Sequence, residues 1–243
     1  MKKKFETPHV VSYTGRVPVL AYILTALGAY LLGSIPFGYL AAKAKGIDIT
    51  KVGSGNIGAT NALRVLGKPA GIFVLVMDVV KGYVAVALLT PLVFNQFDIW
   101  LHRHFSGSWD YFQYQPVELQ TRLFVIAGIF AVLGHNYTCW LKFKGGKGIA
   151  TTAGVYLALA PWALLVALVV FILAILLTKY VSVGSIAAAI ALPAAVWVLQ
   201  PHNLLLGIVT TALGALAVYK HKGNIQRLRA GTENRLGKKK EAA

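Results

Sequence analysis

Cysteine is nearly absent from this sequence. Cys139 stands alone, so no disulfide can form within the chain. It falls in an apolar stretch and is expected to pack against neighbours. Acidic residues are also scarce, 8 Asp+Glu against 24 Lys+Arg, for a formal net charge of +16. Charged residues of either sign make up 13% of the chain, well under the roughly 25% of a soluble domain, so charge cannot cover a water-facing surface. Metal ligation has little to work with: there is no His-Glu-x-x-His, no cysteine pair, and the six His are scattered. No Gly-x-Ser-x-Gly elbow occurs. No Gly-Lys-Ser/Thr follows a glycine-rich loop, which removes the argument for a nucleotide. No cofactor, metal or nucleic-acid partner is expected.

What the chain has in quantity is apolar residues, 57% of its 243, and they come in blocks. Residues 17–42, 70–94, 123–141, 162–178, 181–199 and 204–219 each approach the length of about 20 that spans a hydrocarbon core. Lipid offers no partners to backbone N–H and C=O groups, so such segments must be helical. A shorter apolar run lies between Gly148 and Ala160 and ends at Pro161-Trp162. A single helix from Gly148 to Thr178 would be too long for one crossing. A short span, a turn near Pro161 and a second span fit better. The expectation is an all-α membrane protein of about seven transmembrane helices. Residues 17–220 form one membrane domain, preceded by an extension over residues 1–16 and followed by a tail over residues 221–243. Lys2, Lys3 and Lys4 resemble the start of a signal peptide, but the apolar run begins only near Val17, so a retained first helix is expected.

The basic residues are unevenly placed. Lys43, Lys45, Lys51, Arg64 and Lys68 share one loop region, and Lys142, Lys144 and Lys147 another. Lys179 marks a turn, and the tail from Lys220 holds eight more, ending in Lys238, Lys239 and Lys240. With seven spans these regions face one side, and the positive-inside rule makes that side the cytoplasm. The opposite segment, residues 95–121, carries aromatics such as Trp100, Trp109 and Tyr111, which suit the headgroup level. Lys2–Lys4 would then fall on the far side, against the rule.

Three polar clusters interrupt the apolar pattern on the predicted cytoplasmic side. The first places Gly53, Gly55 and Gly58 among Ser54, Asn56, Thr60 and Asn61, with Arg64 following. Glycines let the backbone curl so that several N–H groups converge on an anion, and a guanidinium fork matches phosphate oxygens. The second is Gly145-Gly146-Lys147-Gly148, opening a helix whose first N–H groups and dipole favour an anion. A basic loop attracted to lipid headgroups is an equal reading. The third begins at His221. If helical, it sets His221 and Asn224 on nearly one face with Arg227 beside them, ahead of Glu233. A solvated basic tail is the alternative. Asp78 and Lys81 sit three apart inside a span and are expected to pair. His135 and Asn136 interrupt the third long span and are expected to be structural. A transporter for organic phosphates or a non-catalytic lipid-binding scaffold would also accommodate basic loops at a membrane edge.

Taken together, the clusters carry a resemblance. Gly33-Ser-Ile-Pro-Phe-Gly38 with Gly53-Ser-Gly-Asn-Ile-Gly-Ala-Thr-Asn61, then Leu133-Gly-His-Asn136 with Phe143-Lys-Gly-Gly-Lys-Gly148, then the stretch from His221 to Glu233 resemble, in order, three motif regions. They are those of the bacterial membrane glycerol-3-phosphate acyltransferases that use acyl phosphate. The resemblance implies transfer of a fatty acyl group from acyl phosphate to the 1-hydroxyl of sn-glycerol 3-phosphate, giving lysophosphatidic acid and phosphate. It implies the bacterial cytoplasmic (inner) membrane, an active site facing the cytoplasm, membrane lipids as surroundings, and the enzyme that supplies acyl phosphate as a candidate partner. Ser54, Arg64, Lys147, His221 and Asn224 become the candidate catalytic residues. Gly53, Gly55, Asn56, Gly58, Thr60, Asn61, Gly145, Gly146, Gly148, Arg227 and Glu233 become the candidate substrate-binding residues. The 54–61 loop is assigned chiefly to the donor's phosphate, with Ser54 and Asn56 as hydrogen-bond donors, and Arg64, Lys147, His221 and Asn224 chiefly to glycerol 3-phosphate.

Overall fold

The computed structural model describes residues 19–96 and 116–237, with side chains from residue 120 onward in the second stretch. Expectations about Lys2–Lys4, the aromatic outer segment and Lys238–Lys240 fall outside the described residues. Every regular element in the described part is helical.

The first apolar block bends. Helix α1 (Val19–Ser34) stops before Pro36, and α2 (Phe37–Lys43) resumes. Proline has no N–H to continue the ladder, and the carbonyls freed at the break must find partners inside the membrane. Thr138 Oγ1 donates to Ser34 O at 2.6 Å, and Lys81 Nζ donates to Ile35 O at 2.9 Å. The break is therefore built into the packing. After the loop that follows, α3 (Ala59–Leu66) leads through Gly67 into α4 (Lys68–Val84). That span continues through a π-helical turn, Ala85–Leu89, to Gln96. Thr90 Oγ1 caps the turn by donating to Ala85 O at 3.0 Å.

Helix α5 (Pro116–Asn136) ends in a one-turn 3-10 helix, Cys139–Leu141. Cys139 lies in this turn, partly exposed, and not within the long helix. Helix α6 (Ile149–Leu159) is short, and Ala160 breaks it from α7 (Pro161–Thr178), as the proline suggested. Helices α8 (Val181–Leu199), α9 (Leu204–Lys220) and α10 (Lys222–Arg229) follow, with α10 bent 51° from α9. Among the described residues five helices are long and apolar enough to cross a membrane, and α9 with α10 makes a bent sixth. With α6, at 11 residues, all seven expected apolar segments are helical. Leucine and valine on α7 are largely uncovered, Leu177 at 82%. Such a surface suits lipid and would not suit water.

Helix crossings rest on glycine where backbones touch. A Cβ on Gly33 of α1 would lie 2.1 Å from Ala131 O of α5, and one on Gly134 of α5 would lie 2.2 Å from Tyr30 O. The α4–α6 crossing repeats this: Gly154 stands against Val79 O at 1.9 Å and Gly82 against Thr151 O at 2.2 Å. Small residues at the seam let dispersion and packing hold helices that gain nothing from apolar burial in lipid. Helix α7 packs on α8, and α8 on α9. The tail after α10 returns across the end of the bundle, and Leu236 N donates to Lys179 O in the α7–α8 turn at 2.8 Å.

Candidate active site

The loop before α3 is shaped from within. Gly53 and Gly55 adopt φ of +67° and +69°, where a side chain would be strained. Asn61, at 2% exposure, reaches back from α3. Its Oδ1 accepts from Ser54 N at 2.9 Å, and its Nδ2 donates to Asn56 O at 2.9 Å and Val52 O at 3.1 Å. Asn56 Oδ1 accepts from Gly58 N at 2.8 Å. The N–H groups of Ser54 and Gly58 are thus engaged inside the loop. Ser54 and Asn56 of this loop border the cavity described below. Asn61 acts as the loop's organiser.

The second cluster is seated on the end of α5. Gly146 N donates to His135 O at 2.9 Å and Gly145 N to Asn136 O at 3.2 Å. A Cβ on Gly146 would fall 2.0 Å from His135 Nε2. Gly148, at φ +84°, turns the chain into α6 and leaves Lys147 beside that helix's start.

The third cluster is helical over Lys222–Arg229 and is not a solvated tail, for two of its side chains turn inward. His221 is 2% exposed and Asn224 7%. Lys147 Nζ donates to Asn224 Oδ1. Asn224 Nδ2 donates to Glu233 Oε1 at 2.7 Å, and Arg227 Nε donates to Glu233 Oε2 at 2.7 Å. A chain of donors and acceptors therefore ties the second cluster to the third. Burial pushes the Lys147 ammonium down to about 8, with Arg227 and Arg64 adding repulsion and Glu233 opposing them. Burial likewise lowers Arg64, which Glu233 partly offsets. Burial disfavours the Glu233 carboxylate, but the donors Asn224 and Arg227 outweigh it and hold its pKa below the ordinary range. His221 lies at the bend beyond α9. Burial pushes it down to about 4, and Lys147 adds to the effect. Its Nδ1 lies 2.7 Å from Ala217 O. The ring is therefore neutral near pH 7 with the proton on Nδ1, and Nε2 is left as an acceptor.

One cavity of about 450 Å³ unites these pieces. Its polar end is lined by Ser54, Asn56, Gly58, Thr60, Asn61, Arg64, Lys147, Gly148, His221, Asn224, Arg227 and Glu233. All five candidate catalytic residues are among them. Gly53, Gly55, Gly145 and Gly146 are not part of the lining; they shape the loops that are. The cavity continues between α7, α8 and α9 along Leu164, Leu168, Phe171, Leu192 and Leu213. Sequence reasoning missed Ser182, Ser185 and Thr210, which also line it. Ser182 and Ser185 stand three apart in an apolar helix, a spacing that puts both on one face, and this was the available clue. Asp78 and His135 also reach the lining.

The cavity is thus cationic and donor-rich at one end and apolar at the other. The family model described as glycerol-3-phosphate acyltransferase matches residues 23–231. The chain belongs to that family. A glycerol-3-phosphate acyltransferase of Geotalea daltonii is 42% identical over 212 residues, covering 87% of this chain and 96% of the relative. One of Geobacter metallireducens is 46% identical over 218 residues, covering 90% and 99%. Among solved structures, PlsY (YgiH), an integral membrane glycerol 3-phosphate acyltransferase, is similar in two crystal forms. The glycerol 3-phosphate form is 35% identical with a TM-score of 0.72, covering 89% of this chain and 96% of that one. The lysophosphatidic acid form has a TM-score of 0.70 over the same shares. The all-helical membrane architecture is common to the family member and this chain.

Proposed function

We propose that this chain acylates glycerol 3-phosphate at its 1-hydroxyl, taking the acyl group from a long-chain acyl phosphate and releasing lysophosphatidic acid and phosphate. The observation that carries this reading is the single cavity in which Arg64, Lys147 and Arg227 meet an apolar passage between helices. Two phosphate-bearing substrates need cations and donors, and a fatty chain needs an apolar berth beside them.

In this reading Arg64 and Lys147 hold the phosphate of glycerol 3-phosphate, and Asn224 keeps Lys147 aimed. Ser54 and Asn56 hold the phosphate of the donor. The glycerol 1-hydroxyl attacks the acyl carbonyl, a C–O ester bond forms, and the bond from the carbonyl carbon to the phosphate oxygen breaks. Donors around the carbonyl stabilise the charge that develops on its oxygen. Acyl phosphate is already activated, so no acyl-enzyme is needed. The proton leaves with the released phosphate. A group with a pKa of about 4 is a weak base at neutral pH, so His221 serves better by accepting a hydrogen bond from the hydroxyl through Nε2 and orienting it.

The lysine-rich loops and the cavity mouth face the cytoplasm of a bacterial inner membrane, with the enzyme that supplies acyl phosphate as a candidate partner. Glycerol 3-phosphate then enters from the cytoplasm while the donor's tail lies in the apolar passage between the helices. The test is phosphate release by purified protein in detergent, given palmitoyl phosphate and glycerol 3-phosphate, with each omitted in turn. Release that needs both and yields lysophosphatidic acid is expected. No release from folded protein would overturn the reading and favour a transporter.

A further inference from the structure

Beneath the loop that carries Lys147 lies a buried charged group that the transfer reaction does not use. Asp78 and Lys81, one turn apart on α4, are 2% and 3% exposed. Lys81 Nζ stands 2.8 Å from Asp78 Oδ1. The same ammonium donates to Ile35 O and lies 5.7 Å from the centre of the Phe37 ring. Its hydrogen-bonding is therefore met by the α1–α2 break. Asp78 has a second neighbour: His135 Nδ1, on α5, is 3.5 Å from the same carboxylate oxygen. That nitrogen is buried and makes no other polar contact, so the carboxylate is the partner within its reach. The carboxylate thus faces a cation on one side and an imidazole on the other, and both Asp78 and His135 reach the cavity wall.

A buried ion pair is weak ground for stability. Two charges lose their hydration, and an apolar pair of similar volume often serves as well or better. This one lies where position matters. His135 is the seat of the Lys147 loop: its carbonyl accepts from Gly146, and its ring lies flush against Gly146, leaving no room for a Cβ. A tilt of the imidazole would therefore push on the residue directly before Lys147.

We propose that Asp78 is a positioning residue, holding the His135 ring in the orientation on which the Gly145–Gly148 loop rests, and thereby setting where the Lys147 ammonium meets the substrate phosphate. Lys81 anchors Asp78 to the α1–α2 break and completes the assembly. The inference rests on the reading in which Lys147 binds glycerol 3-phosphate.

The experiment compares steady-state kinetics of Asp78→Asn, the double variant Asp78→Asn with Lys81→Met, His135→Asn and Lys147→Ala, in detergent, with the melting temperature of each. The double variant leaves no lone buried charge, so it keeps the question open even where the single one is too unstable. Expected is a rise in KM for glycerol 3-phosphate on the order of tenfold in the double variant and in His135→Asn, the scale of cost for a misplaced binding group. The KM for acyl phosphate stays near that of the parent. Adding His135→Asn to Asp78→Asn raises the KM no further, because both act through one ring. A double variant that regains both melting temperature and parental KM would reduce the pair to a structural bridge and overturn the inference. Lys147→Ala serves as the reference: if its KM for glycerol 3-phosphate is parental, the assignment of Lys147 fails instead.

Discussion

Lys147 donates a hydrogen bond to Asn224 across 77 residues of sequence. The contact joins the loop at the head of α6 to a short helix beyond the last span. Asn224 is well suited to the place, because its oxygen accepts from the lysine while its nitrogen donates to Glu233. Replacing it by Ala removes both bonds. The expected result is a KM for glycerol 3-phosphate raised roughly ten- to hundredfold, from about 1.5–3 kcal/mol for a hydrogen bond to a charged group. Steady-state phosphate release would read it, and an unchanged KM would separate Asn224 from the binding of this substrate.

The pH dependence follows from the Lys147 ammonium. Its pKa is lowered to about 8, so the charge is present below that pH and is lost as pH rises through it. The kcat/KM for glycerol 3-phosphate, which reports the free enzyme, is expected to fall above pH of about 8. Arginine stays charged throughout, so Lys147→Arg removes the alkaline fall whatever its absolute rate. A wild-type profile flat to a pH of about 9.5 would show that Lys147 either does not lose its charge in this range or is not needed as a cation.

His221 is expected to leave no trace of its own near its usual pKa, since burial keeps it neutral down to about 4. Its role as a hydrogen-bond acceptor predicts that His221→Gln keeps measurable turnover while the KM for glycerol 3-phosphate rises. Abolished turnover with parental KM would instead make the ring the base. Comparing kcat with KM in the variant distinguishes the two outcomes.

The α4–α6 crossing gives a prediction about stability. A methyl on Gly154 would sit 1.9 Å from Val79 O, a backbone atom that cannot move aside alone. Gly154→Ala is expected to destabilise by about 1–3 kcal/mol, as overpacking does. Thermal unfolding in detergent would show it as a lowered melting temperature.

Much of the site was legible in the sequence because a bilayer makes polar residues conspicuous. Ser54, Arg64, Lys147, His221 and Asn224 stood out against apolar blocks, and the cavity gathers them. The break at Pro161 could be read from the ring that cannot continue a helix. Other features left no such trace. Asn61 resembles its polar neighbours in composition, and only the folded loop shows its amide occupied by Ser54, Val52 and Asn56. The π-helical turn at Ala85–Leu89 has the same apolar residues as the helix around it. The bend between α1 and α2 carried the same proline signal at Pro36, but the apolar run continues across it, and its cost is met by Thr138 and Lys81 from distant segments. Ser182 and Ser185 are small enough to pass for helix packing. The passage between α7, α8 and α9 depends on how three apolar helices diverge, which composition does not encode.

Ser54 and Glu233 face the same cavity although they stand 179 positions apart in sequence (54 to 233). Synthesis proceeds from the first to the second, so a nascent polypeptide halted in α9 already has the 54–61 loop but lacks Asn224, the acceptor for Lys147. Such a fragment would sit in the bilayer without competence for transfer. The last short helix and its tail thus complete the wall from which Lys147 takes its partner.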